Sequence, residues 1–298
     1  MTINTINSKT GLKGDFLVFI ATMLFAGYSL FLRLNPEIPT LLFLFAFQIV
    51  GAVVFIIILL RDGLPKISSQ IFLFLALLAI LAAVHDFAYF FSFHLTSVAN
   101  AAVGHQTVSL FLLFFAPYFL KEKTNKNEWI AVAIGLLGTI ILFCDAHQQI
   151  NPFQNSEGIA LSIFSGLLYA LLIILYRYLQ NKIDLTVRTI NFFRYTISVM
   201  LLLPFLSFLR QFSWTPQATW TLLAFGFLYA VIASGMQQLA MKWSRVLHIS
   251  VIGKSEPAFA TLYAFLFLKE VPHWNAVIGG SMIIGTSLWL VTLMKKEN

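Results

Sequence analysis

Apolar residues fill the chain in blocks of about 20, the length that crosses a bilayer core as an α-helix, and short clusters of charged and turn-forming residues part them. The blocks lie near 15–34, 39–60, 71–93, 97–120, 127–144, 158–179, 187–209, 217–241, 246–268 and 272–294. The pattern predicts an all-α membrane protein of ten transmembrane helices. Lys9 and Lys13 give the polar start the look of a secretory signal, but no small-residue cleavage site follows, so the first helix is expected to stay.

Polar positions then orient the blocks. Lys9, Lys13, Arg61, Lys66, Lys121, Lys123, Lys126, Arg177, Lys182, Arg188, Lys242, Arg245, Lys295 and Lys296 fall in the tails and even-numbered connections, against Arg33, Arg210 and Lys269 in the odd-numbered ones. Basic loops stay in the cytoplasm, so both termini are expected there, in a multi-pass protein of the cytoplasmic (inner) membrane.

The halves also match each other. Val98 to Glu122 aligns with Val246 to Glu270 at an offset of 148, with Val98/Val246, Val103/Val251, Phe111/Phe259, Ala116/Ala264, Phe119/Phe267, Leu120/Leu268, Lys121/Lys269 and Glu122/Glu270 identical. Gly14 to Arg33 aligns with Gly158 to Arg177 at an offset of 144, and Gln48 falls opposite Arg194. Five helices per copy is an odd number, so the copies, 1–144 and 145–298, are expected to insert in opposite senses. Such inverted repeats are a signature of alternating-access transporters and also occur in channels.

Composition removes other classes. Hydrophobic residues make up 59% of the chain and charged residues 10%, against about a quarter charged in soluble domains, and mean hydropathy is +0.85. The one cysteine, Cys144, excludes an internal disulfide and a Cys-rich metal site. The net charge of +7 is accounted for by the basic loops, so no nucleic-acid partner is expected. No phosphate-cradling Gly-Lys-Ser/Thr loop appears, so no ATP use is expected. His94, His147, His248 and His273 fall near span ends without metal-ligand spacing, and no metal or cofactor is expected.

Charges inside the blocks mark the candidate site, because each costs roughly 3 kcal/mol at a helix centre. Lys254 and Glu256 stand two positions apart, about 200° around a helix, so they do not pair with each other. Either Glu256 meets a proton or cationic group and Lys254 an anionic one, together suiting a zwitterion, or both make structural ion pairs with neighbouring helices. Asp86 shares a face with Tyr89; it carries a proton or a cation, or it pairs with Lys254. His85 beside it is a proton relay or a helix-to-helix hydrogen-bonding group. His105 and Gln106 occupy the positions equivalent to Gly253 and Lys254, which makes a cavity there asymmetric. Arg194 is placed near the cytoplasmic end of its span as a structural, snorkelling residue. Glu122 and Glu270, at helix ends, are read as structural. Gly135, Gly138, Gly279, Gly280 and Gly285 give small surfaces for close helix contact, within the chain or across a homodimer.

With Phe25-Ala26 and Tyr169-Ala170 in the first helix of each half, Leu120-Lys121-Glu122 and Leu268-Lys269-Glu270 closing each fourth helix, Glu256-Pro257 and Arg194, the chain resembles the drug/metabolite transporter superfamily, EamA type. The resemblance covers nearly the whole chain; Ser109, Gln48 and Phe25 depart from its pattern. It implies ten helices, a cavity lined by the first, third, fourth, sixth, eighth and ninth, and passage of small polar metabolites, often amino-acid related. It also makes Pro257 a structural position and Tyr28, Tyr169, Tyr229 and Gln237 candidate substrate contacts. The expectation is a secondary transporter of a small polar or zwitterionic metabolite, not an enzyme, lying in membrane lipid and coupled to a proton or counter-substrate. Uptake or exchange of a scavenged nutrient or cofactor is the rival within transport; a membrane scaffold, or an intramembrane enzyme using His85 and Asp86, is the rival outside it.

Overall fold

The computed structural model describes residues 8–63, 65–96, 98–143, 156–204, 212–269 and 271–296, and these form helices joined by short connections, with no strand among them. Seven helices are long and apolar enough to cross a membrane: Gly11–Leu34, Thr40–Asp62, Ser69–Ser92, Ala101–Leu120, Ser156–Asn181, Pro216–Ala240 and Val246–Leu268. Lys126–Phe143, Val187–Leu202 and Trp274–Lys296 fill the fifth, seventh and tenth places, giving ten spans among the described residues. Their outer surface is apolar, with Leu60, Leu73, Phe267 and Trp220 more than half exposed, as expected of helices facing lipid.

Local chemistry fixes the ends. Ser68 Oγ accepts the Ile71 N–H at 3.3 Å, and Thr215 Oγ1 accepts that of Ala218 at 3.1 Å, with Pro216 opening the eighth span. The fifth span starts on a reciprocal cap: Glu128 N–H donates to Asn125 Oδ1 at 2.9 Å, and Asn125 N–H to Glu128 Oε2 at 2.8 Å. The fourth and ninth spans end alike. Lys121 (φ 58°, ψ 23°) and Lys269 (φ 59°, ψ 22°) both turn left-handed, and their N–H groups return to the Ala116 and Ala264 carbonyls. Glu270 lies outside the described residues.

Both of these spans are also interrupted, 148 residues apart. The ninth breaks at Lys254, between Val246–Gly253 and Ser255–Leu268, because Pro257 in the first turn of the second piece has no N–H for the Gly253 carbonyl. The fourth breaks at Gln106 and Thr107, between Val98–His105 and Val108–Phe115, where Ser109 stands in place of that proline. There side-chain hydroxyls compete with the helix: Thr107 Oγ1 donates to the Gly104 carbonyl at 2.6 Å and Ser109 Oγ to the Gln106 carbonyl at 3.2 Å. Wide π turns occur at Ala116–Leu120, which holds Pro117, and at Phe227–Ala233 in the eighth span.

One apolar core joins the first, third and sixth spans through Val18, Leu75, Leu78, Ala82, Ala170 and Ile173. A second, built on Phe43, Leu222, Phe225 and Tyr229, joins the second and eighth. The fifth and tenth spans pack through glycine: a Cβ on Gly138 would lie 3.0 Å from the Gly279 carbonyl oxygen, so these glycines serve contact within the chain.

Candidate functional site

The two interruptions meet in the middle of the bundle. Lys254 is fully buried, and its ammonium donates to the Gln106 carbonyl oxygen at 2.8 Å, the backbone of the position equivalent to its own. Gly135 of the fifth span makes room for the stem, since a Cβ there would stand 2.8 Å from Lys254 Cδ. The lysine expected to touch an anionic group therefore braces the fourth, fifth and ninth spans behind the cavity wall.

The cavity itself opens beside that brace and measures ≈ 80 Å³, well under the roughly 300–1,000 Å³ of a drug-sized ligand site. Its wall draws on the first span (Thr22, Phe25), the third (Tyr89), the fourth (Ala102, His105, Gln106, Val108), the sixth (Tyr169), the eighth (Gln237) and the ninth (Ile249, Ser250, Gly253, Glu256, Pro257). Tyr89 and His105 have ring centroids 4.2 Å apart, and His105 and Tyr169 5.4 Å. Tyr169 donates its hydroxyl proton to Gln237 Oε1 at 3.1 Å, and His105 Nδ1 lies 3.0 Å from Ser165 Oγ. Glu256 is the one carboxylate in this wall, which holds no lysine or arginine. Among the described residues it has no hydrogen-bond or ion-pair partner. A carboxylate removed from bulk water with nothing to answer it is a group waiting for a cation or a proton.

Asp86 is occupied instead. Its Oδ2 accepts Gln48 Nε2 at 2.7 Å and lies 3.6 Å from Arg194 Nη2, while Oδ1 meets His85 Nδ1 at 2.8 Å. Gln48 and Arg194, opposite each other in the repeat alignment, thus hold the same oxygen. This corrects two expectations: Asp86 pairs with Arg194 and not with Lys254, and Arg194 is buried against the Tyr195 ring, 4.8 Å from its centroid, instead of snorkelling to a surface. His85 and Asp86 are buried and absent from the cavity wall. His85 stacks behind it on Tyr169, centroids 5.1 Å apart. Tyr28 and Tyr229 also sit outside the wall, packed edge to face on each other at 5.6 Å and against Phe225 with ring centroids 4.8 and 4.6 Å away.

The EamA-like transporter family model matches the chain twice, over residues 12–144 and 156–292. The chain belongs to that family. An uncharacterized transporter of Archaeoglobus fulgidus is 23% identical over 98% of this chain and 100% of its own length, and one of Clostridium kluyveri 26% identical over 84% and 83%. A solved crystal structure superposes with a TM-score of 0.81 at 16% identity, over 96% of this chain and 98% of the other, which shows a shared fold. This EamA-like chain is a multi-pass membrane protein of a transporter family.

Sequence reasoning missed part of this EamA-like architecture, a charge cluster at the basic end of the bundle. Buried Asp15 accepts from Ser244 Oγ and meets His248 Nδ1 at 3.0 Å. Glu128 meets Arg245 at 3.1 Å and His248 Nε2 at 3.6 Å. Glu122 meets Arg177 at 3.0 Å and accepts the Val246 N–H at 3.3 Å, and Arg177 also donates to the Met241 and Ser244 carbonyls. The structural reading of Glu122 acquires a partner here. Glu122→Gln, which keeps the shape but removes the charge, should lower stability by about 2 kcal/mol. Unfolding of the two purified proteins in the same detergent measures it; equal midpoints would remove the pair from the account.

Proposed function

We propose that this protein is an alternating-access secondary transporter of a small polar metabolite, built of two inverted five-helix halves with both termini in the cytoplasm and the cavity around Glu256 as its binding site. The observation that carries the reading is the composition of the cavity wall. Phe25 and Tyr169 are equivalent positions at the offset of 144, and Ala102/Ser250, His105/Gly253 and Val108/Glu256 are equivalent at 148, while Tyr89 and Gln237 come from the third and eighth spans, the corresponding helices of the two halves. A site assembled from matched positions of two halves, at the crossing of two interrupted helices, is what exchange of conformation between oppositely inserted copies requires. The small volume supports it too, since a metabolite enters or leaves only when the spans part.

Proton coupling is assigned to Glu256, because Asp86 is already held by Gln48, Arg194 and His85. The titratable groups facing Glu256 across the cavity are Tyr89, His105 and Tyr169, with neutral Gln237 beside them. The small-molecule cargo and membrane lipid are its partners.

In proteoliposomes offered a broad labelled metabolite panel, the wild type should accumulate at least one compound, and collapsing the pH gradient should stop that accumulation. Glu256→Gln should reduce the flux at least tenfold while the protein remains folded and inserted. Undiminished flux in the variant would return Glu256 to a packing role, and accumulation that outlives the gradient would point to exchange or another ion.

A further inference from the structure

We propose that this cavity selects an organic cation, an amine or quaternary ammonium group held by Glu256 and ringed by aromatic side chains, and excludes zwitterions and anions. The proposal rests on the transport reading only for the ligand being carried; recognition stands on the cavity alone.

The argument is one of charge complementarity. The cationic side chains buried nearest the cavity, Lys254 and Arg194, are both spent elsewhere: Lys254 on the Gln106 carbonyl behind the wall and Arg194 on Asp86. What the wall offers the carboxylate of a zwitterion is the Thr22 hydroxyl, buried without a partner, the Gln106 and Gln237 amides, and a His105 imidazole whose Nδ1 is engaged by Ser165 Oγ, with no lysine or arginine among them. Neutral donors can bond a carboxylate but supply no opposite charge to offset its desolvation, and a carboxylate beside Glu256 meets like charge as well. An amine meets the opposite. Glu256 is unpartnered, and Pro257 leaves the Gly253 carbonyl, at the same wall, without the N–H an α-helix would send it. Phe25, Tyr89 and Tyr169 supply π-faces, and cations over such faces gain ~0.5–2 kcal/mol as water is removed. Apolar Val108 at the position equivalent to Glu256 keeps the cavity at a single carboxylate, which suits a ligand of one positive charge.

The experiment compares molecules that share an apolar side chain and differ in the charged groups attached to it. The probes are isobutylamine, valine and isovalerate, and phenethylamine, phenylalanine and 3-phenylpropionate, each trio sharing one apolar side chain and carrying an ammonium, both groups or a carboxylate. Equilibrium binding of the labelled compounds to the full-length protein in detergent is measured for wild type, Glu256→Asp and Glu256→Gln. In each trio the amine should bind at least tenfold tighter than the zwitterion, with the anion weakest. Glu256→Gln should lose at least tenfold in amine affinity, Glu256→Asp should retain part of it, and the melting temperatures of the variants show that the loss is local. A zwitterion bound as tightly as its amine, an unaltered amine affinity in Glu256→Gln, or no binding by any of the six overturns the proposal. Proteoliposome flux of the same trios separates the two readings. An amine bound but never moved keeps the cation site and sinks transport; a zwitterion moved without preference for its amine keeps transport and sinks the cation site.

Discussion

Arg194→Met is expected to cost the fold about 3–5 kcal/mol, because it removes the one cation beside a buried aspartate and leaves that charge facing protein. Asp86 keeps Gln48 and His85, but neither supplies a fixed positive charge within reach of Oδ2. The effect should be largely reversed in the double variant Asp86→Asn/Arg194→Met, where no charge is stranded and Gln48 can still bond the amide. The measurement is the apparent melting temperature and denaturant midpoint of the four proteins in one detergent. A single variant that melts with the wild type, or a double variant no better than Arg194→Met, would dissolve the pair.

Gly279→Val should be at least as damaging, on the order of 3 kcal/mol or more, and for a steric reason. A Cβ at that position is driven into the Gly138 carbonyl and the backbone of Leu142, and main-chain atoms cannot rotate aside as a side chain can. One residue further on the situation is ordinary: a Cβ on Gly280 would rest 3.4 Å from Ala258 Cβ. Gly280→Ala is therefore expected to be tolerated within about 0.5 kcal/mol. Size-exclusion chromatography of the solubilised variants gives the folded fraction. If Gly279→Val elutes and melts like Gly280→Ala, the close approach of the fifth and tenth spans is wrong.

Much of the architecture was legible because the bilayer imposes it. A core of fixed thickness demands apolar runs of fixed length, so the ten spans and their approximate limits follow from where the charges stop. The pairing of Val98–Glu122 with Val246–Glu270 was also visible in the sequence, and the two spans end alike, left-handed at Lys121 and Lys269. What periodicity does not carry is which buried charges meet across helices. Asp86 had two cations to choose from, and nothing in the spacing separates Arg194 from Lys254. The lysine's true acceptor is a main-chain oxygen, Gln106, which no side-chain pattern announces. It becomes available only because Thr107 and Ser109 interrupt the helix. Glu256 stands out in the sequence as a charge inside an apolar run, and it lines the cavity, but its isolation there depends on the commitments of three other charged groups. The Asp15, Glu128 and His248 cluster escaped notice for the same reason: its members are more than a hundred residues apart and share only an end of the bundle. Local signals were present even there, since Asn125 and Glu128 have the spacing of a reciprocal helix cap.

The wide turn at Phe227–Ala233 has a consequence for the pair of glutamines that follows it. Each added residue advances the direction of a helix by about 100°, and a π turn accommodates a residue that α pitch would not. The surplus therefore sets the phase of everything downstream, Ser234–Ala240 included. It is by this phase that Gln237 looks inward to Tyr169 while chemically identical Gln238 turns to the hydroxyl of Tyr176. Insertions and deletions upstream in the eighth span thus act on the ligand's surroundings as surely as substitutions do, by exchanging which of two like side chains is presented.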